Sequence, residues 1–147
     1  MSSATLTRSA DILLIEDNLT DIRLVREAIK EGQIAGRLTV ARSGERALRM
    51  LREESRSGAG CRPDLILLDL NLPKKSGIEL LAELKSDPDL RRIPVIVLTS
   101  STSDREIRRS YDLHANCYLA KPLDMDEFVR VLKLIEELWL TRAELPS

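Results

Sequence analysis

The chain reads as an α/β protein built on a parallel sheet covered on both faces, and three observations predict this. Apolar runs of strand length recur at ILLI (Ile12 to Ile15), LILL (Leu65 to Leu68) and VIVL (Val95 to Leu98), without the polar alternation of a half-exposed strand, so both faces of each are buried. Each run is followed by a stretch with apolar residues at helical spacing. Strand then helix recurs five times, and right-handed crossovers turn that succession into one parallel sheet with helices on both sides.

In chain order, Asp11 to Ile15 forms a strand and Thr20 to Lys30 a helix with Ile22, Val25 and Ile29 on one face, stopped by Gly32. RLTVA (Arg37 to Ala41) is a short second strand, and Gly44 to Glu54 a helix that turns Ala47, Leu48 and Leu51 inward. Ser55 to Pro63 is polar and glycine-rich and reads as a loop. After the strand ending at Asp69, Pro73 to Ser76 turns the chain into a helix over Gly77 to Lys85, with Ile78, Leu81 and Leu84 toward the sheet. Val95 to Leu98 is the fourth strand, Asp104 to Asp112 the fourth helix and Cys117 to Ala120 the fifth strand. Asp124 caps a last helix with Phe128, Val131, Leu132, Ile135 and Trp139 on one stripe.

The 147 residues make one domain's worth of chain, with a tail at residues 1–9, a domain over 10–140 and an extension at 141–147. With 23 basic and 24 acidic residues the net charge is -1, which gives no field to gather nucleic acid. Cys61 and Cys117 lack metal-site spacing, MSSATLTRS lacks the apolar segment of a secretory signal, and no apolar run has membrane-spanning length. A cytoplasmic protein with reduced thiols and no membrane contact of its own is expected.

The chemistry lies where the strands end. Glu16 and Asp17 follow the first strand, Asp69 the third, Thr99 and Ser101 stand at or after the end of the fourth, and Lys121 after the fifth. Open α/β sheets place ligands at the carboxyl ends of their strands. Magnesium takes octahedral oxygen ligands from one or two carboxylates and water, which Glu16, Asp17 and Asp69 can supply. The metal also screens an incoming phosphoryl anion, leaving Asp69 as nucleophile for an acyl phosphate. Phosphoryl transfer further needs a cation and a hydroxyl donor, roles that Lys121 and Thr99 fit. Asn71 can offer its backbone carbonyl to the metal and its side chain to attacking water, and with Ser101 it should govern how water reaches the acyl phosphate.

With those residues in place, the chain resembles a response-regulator receiver domain of bacterial two-component signalling, over about Asp11 to Leu138. The resemblance implies a flavodoxin-like doubly wound fold, a five-stranded parallel sheet in the order 2-1-3-4-5. It makes Glu16 and Asp17 the acidic pair, Asp69 the phosphoacceptor, Thr99 the switch hydroxyl, Lys121 the family's lysine and Tyr118 its switch aromatic, with Pro73 and Gly77 in the loop after the acceptor. It implies Mg2+ as cofactor and a sensor histidine kinase as phosphoryl donor, with no enzymatic activity beyond the domain's own phosphotransfer and dephosphorylation. EDNLTDIRLVREAIKE, LDLNLPKKSGIELLAELK and ELWLTRAELP are similar to single-domain regulators paired with bacterial phytochromes. That likeness implies a light-sensing kinase partner and a homodimer through the fourth helix, fifth strand and fifth helix. Leu70 stands where the wider family has tryptophan, and DNA binding through an attached output domain is not expected.

Each of these residues alone has a plainer explanation. Glu16 and Asp17 suit a solvated loop or helix cap, Thr99 a strand-end hydroxyl bonded to backbone, Lys121 an exposed turn and Tyr118 a half-buried strand aromatic. His114 reads as a loop residue, and Arg105, Arg108 and Arg109 as a solvated helix face. The functional reading rests on their joint occurrence at strand ends. Val129, Leu134 and Leu140 lie outside the last helix's main stripe and, with Trp139, are expected at a dimer or partner interface. An aspartate-nucleophile phosphatase would carry a second Asp two residues after the nucleophile, where this chain has Asn71. The remaining alternative is a pseudo-receiver adaptor independent of phosphorylation, against which stand the reactive residue types at all five site positions.

Overall fold

The computed structural model describes residues 10–34, 36–57, 63–99, 104–115, 117–120 and 125–137. Its elements are β1 (Ala10–Ile15), α1 (Leu19–Glu31), β2 (Gly36–Ala41), α2 (Gly44–Ser57), β3 (Leu65–Leu68), α3 (Gly77–Ser86), β4 (Val95–Thr99), α4 (Asp104–Asp112), β5 (Cys117–Ala120) and α5 (Met125–Ile135). The sheet runs β2-β1-β3-β4-β5 with every neighbouring pair parallel. This is the doubly wound order that the resemblance implies.

Strand pleating explains why the central runs are continuously apolar. Ile12 and Leu14 of β1, Leu65 and Leu67 of β3, and Ile96 and Leu98 of β4 point to one face. There they meet Ile22, Val25 and Ala28 of α1 and Phe128 and Leu132 of α5. The alternate residues Leu13, Ile15, Ile66, Leu68, Val95 and Val97 point to the other face, against Ala47, Leu48 and Leu51 of α2 and Leu80, Leu81 and Leu84 of α3. A strand with helices on both sides has no face left for polar residues. β2, at one edge, alternates half-buried and exposed positions until Ala41.

Two local expectations change, the end of α2 and the burial of Val129. Helix α2 continues through Ser57, although composition places a loop from Ser55; Ser55, Arg56 and Ser57 include no helix breaker, and the first glycine is Gly58. Gly32 stops α1 as the sequence implies, occupying its C-cap with ordinary helical φ of -79°. A Cβ at Gly32 would lie 3.1 Å from both the Ala28 carbonyl oxygen and Val129 Cγ1, so the glycine lets α5 pack closely on α1. Val129 is accordingly half-buried against the α1/α5 core, although the stripe pattern places it outside.

The left-handed residue after α1 is Gln33, with φ 52°. Its amide donates to the Lys30 carbonyl at 3.1 Å and that of Ile34 to Ile29 at 3.0 Å, the paired bonds of a Schellman cap. α4 ends in the same way: His114, φ 67°, donates to Tyr111 at 2.9 Å, and Ala115 donates to Ser110 at 2.9 Å. The α3 to β4 connection is held by Lys85, whose ammonium donates to the carbonyls of Arg91 and Ile93 at 3.2 and 3.1 Å. Burial lowers the pKa of that lysine.

Side chains with a Cβ strain at left-handed φ. Gln33→Gly and His114→Gly should each relieve about 1–2 kcal/mol of that strain while adding about 0.4–1 kcal/mol of unfolded-state entropy. The expected net gain is on the order of 0.5–1 kcal/mol, read as a raised urea midpoint at unchanged slope. An unchanged or lowered midpoint would contradict the assignment of strain.

Candidate metal and phosphoryl-acceptor site

Because β1 and β3 pair with Ile15 opposite Leu68, the next residue of each strand, Glu16 and Asp69, leaves the sheet at the same level. The Asp69 amide extends the ladder by donating to the Ile15 carbonyl at 3.1 Å, and the Glu16 amide donates to Ala41 of β2 at 3.0 Å. Each acid is thus fixed by its own backbone to the neighbouring strand before its side chain makes any contact. Glu16 and Asp69 are 1 % and 5 % exposed, and Asp17 is half-buried.

One carboxylate oxygen from each of Glu16, Asp17 and Asp69 lies within 4.8 Å of the others, and this is the one such group of metal-ligating residue types among the described residues. Ligands in an octahedron around Mg2+ at 2.0–2.1 Å sit about 3–4 Å apart, so a small closing motion or a bridging water completes the fit. Two like charges 4 Å apart repel by about 4 kcal/mol at an effective dielectric of about 20. A divalent cation reverses the sign of that interaction. The donor set, all oxygen, suits a hard cation such as Mg2+ or Mn2+ and offers nothing to a soft one.

Neighbouring amides orient these acids. The Asn71 amide donates to Asp69 Oδ1 at 3.1 Å, and the Asn18 amide to Glu16 Oε2 at 3.3 Å. Asn18 also caps α1, its side chain accepting from the Asp21 amide at 3.1 Å. The α1 amino terminus therefore begins beside the acids, where its partial positive charge favours them. Arg42 ties the loop after β2 to the site, its Nη2 donating to the Asp17 carbonyl at 3.3 Å. The Asn71 side chain is exposed, which is compatible with the water-facing role read from sequence. The amide roles of Asn71 and Asn18 escape sequence reasoning, since any residue but proline supplies an amide; Asn18 leaves a signal only as a helix cap.

Gly77 is needed by a close approach. A Cβ there would lie 2.5 Å from both the Asp69 carbonyl oxygen and the Leu70 Cα, because the first turn of α3 rests on the acceptor loop and the Gly77 amide donates to the Leu70 carbonyl at 3.0 Å. Lys74 in this loop adopts φ 61°. Ser76 caps α3, accepting from the Glu79 amide at 3.2 Å.

Of the other sequence-derived site residues, Thr99 ends β4 and is placed by its backbone alone. Ser101, Lys121, Trp139 and Leu140, together with the tail, the extension and the cap at Asp124, lie outside the described residues. Tyr118 sits mid-strand in β5, half-buried against the α2/α3 core, and Leu134 is 53 % exposed on α5. No helix among the described residues is long and apolar enough to cross a membrane.

Removing one carboxylate from the cluster, as in Glu16→Gln or Asp17→Asn, should weaken Mn2+ binding by about tenfold or more, because affinity follows the ligand charge count. Calorimetric titration checks this, and equal affinity in wild type and variants would exclude the cluster as the cation site. Gly77→Ala forces backbone apart and should destabilise the fold by about 1–3 kcal/mol. A urea midpoint equal to wild type would show that the contact relaxes freely.

Comparison with known proteins agrees with this geometry. The chain matches the family described as Response regulator receiver domain over residues 12–133. It is 46 % identical over 136 residues to response regulator Rcp1 of Synechocystis sp., covering 92 % of each chain. Its fold is similar to that of the phosphorylated cyanobacterial phytochrome response regulator RcpA, with a TM-score of 0.85, 49 % identity and coverage of 95 % of this chain and 99 % of that one. It is also similar to the Mn(2+)-bound form of Rcp1, with a TM-score of 0.81, 45 % identity and coverage of 94 % and 99 %. Receiver domains accept phosphoryl groups from histidine kinases and bind a divalent cation in an acidic pocket, the chemistry to which three clustered carboxylates lend themselves. This chain belongs to the response-regulator receiver family of two-component signalling.

Proposed function

We propose that this receiver takes its phosphoryl group on Asp69, with Mg2+ held by Glu16, Asp17, Asp69 and the Asn71 carbonyl. The observation that carries the assignment is the convergence of three carboxylate oxygens within 4.8 Å, with Asp69 held by the Asn71 amide at the end of a buried strand. Mg2+ supplies charge neutralisation for the phosphoryl anion approaching this acidic site. A carboxylate oxygen of Asp69 attacks the phosphorus of a kinase phosphohistidine. The new O–P bond forms as the P–N bond breaks, and the electron pair returns to the imidazole nitrogen. Lys121 and Thr99 bind phosphoryl oxygens, while Asn71 and Ser101 control the water that later hydrolyses the acyl phosphate.

Movement of Thr99 toward the phosphoryl group opens space for Tyr118, which changes the surface of α4, β5 and α5. Leu134, Trp139, Leu140 and the exposed part of Val129 contribute to a homodimer or partner contact on that side. The similarity to phytochrome-linked regulators supports a bacterial phytochrome as kinase. The domain works in the cytoplasm, has no turnover of an external substrate beyond its own phosphotransfer and dephosphorylation, and binds no nucleic acid directly.

Incubation with Mg2+ and a small phosphoryl donor should add one phosphoryl group by intact mass in wild type. Asp69→Asn or omission of Mg2+ should abolish the adduct. An adduct of equal yield in Asp69→Asn would move the acceptor elsewhere, and no adduct with any donor would leave an adaptor independent of phosphorylation.

A further inference from the structure

β5 is an edge strand, and its Tyr118 amide donates to the hydroxyl of Tyr111 on α4 at 3.3 Å. An edge amide is ordinarily left to water or covered by another element. Here a side chain that is 49 % exposed, from the last turn of the preceding helix, meets it. The Tyr111 carbonyl accepts from the His114 amide in the cap that ends α4. One residue therefore holds both the start of the α4 to β5 return and the point where β5 carries Tyr118. Between them, His114 sits at φ 67°, so the return is bent through a strained position. Leu113 and the Tyr118 ring pack against the same α2/α3 core cluster, so the return and the ring share one surface.

We propose that Tyr111 is a positioning residue: its hydroxyl latches α4 to the sheet edge at Tyr118 and thereby restrains the Tyr118 ring. The purpose of that restraint rests on the proposed phosphorylation switch; its existence does not. With the latch closed, β5 cannot shift at Tyr118 without breaking a bond to α4, so inward rotation of the ring is coupled to movement of the helix. With the latch lost, the ring turns without α4, and a signal arriving at Tyr118 no longer reaches the helix surface.

Tyr111→Phe removes only the hydroxyl. Loss of one hydrogen bond should speed exchange at the Tyr118 amide by about three- to tenfold, more than at any other amide of α4 and β5, and lower the urea midpoint by no more than that same fold-change is worth. The chain has two tyrosines, so fluorotyrosine labelling of the variant leaves a single resonance, that of Tyr118. This resonance should shift relative to wild type in the absence of any phosphoryl donor. His114→Gly, which relaxes the bend but keeps the hydroxyl, should leave both the Tyr118 exchange rate and its resonance as in wild type. Unchanged exchange at Tyr118, an unmoved resonance, or exchange quickened equally across α4 and β5 would each overturn the latch. Phosphoryl uptake is measured by mass on both proteins: uptake missing from both defeats the proposed function, while the latch stands or falls on exchange and fluorine shift.

Discussion

Everything at the site depends on the register in which β1 meets β3. Ile15 opposes Leu68, so Glu16 and Asp69 emerge together, and the Asp69 amide to Ile15 carbonyl bond carries the ladder one residue beyond the strand. A slip of one residue would turn every side chain of the strand to the opposite face. That is costly here because both faces of β1 and β3 are core, so packing on two sides holds the carboxylates together against their own repulsion. The same packing removes Glu16 and Asp69 from water. The amides of Asn18 and Asn71 meet part of their charge.

The acceptor loop transmits this rigidity outward. With no room for a Cβ at Gly77, α3 sits directly on the backbone of Asp69 and Leu70, and Leu70 itself belongs to the α2/α3 core. Closely packed layers of this kind respond to a local change by moving between discrete arrangements. The opposite edge is different. There β5 is a short strand fastened to α4 through an exposed hydroxyl and a left-handed cap, which are weaker restraints than core packing.

Most of the sheet is legible in the sequence because burial on both faces writes itself as unbroken apolar runs. ILLI, LILL and VIVL can be read without ambiguity once helical stripes separate them. The acids are legible for a related reason: a charged residue directly after such a run has to be explained. What escapes is backbone geometry. Gln33 and His114 carry no sign of left-handed φ, and nothing marks Gly32, which does stop α1, as a packing contact with Val129 as well. The end of α2 is misplaced because serine and arginine tolerate a helix nearly as well as a loop, so composition misjudges Ser55 to Ser57. The Tyr111 hydroxyl to Tyr118 amide bond is equally silent, since it depends on the approach of α4 to the sheet edge.

The assignment of Asp69 is tested most directly by locating the acyl phosphate chemically. Borodeuteride reduction of the phosphorylated chain converts an aspartyl phosphate into deuterium-labelled homoserine, and peptide mass mapping then finds its position. Label at residue 69 alone, dependent on Mg2+, is the expected result. Label at Asp17 or any other acid, or phosphorylated protein that survives reduction unlabelled, would contradict the assignment of Asp69 as nucleophile.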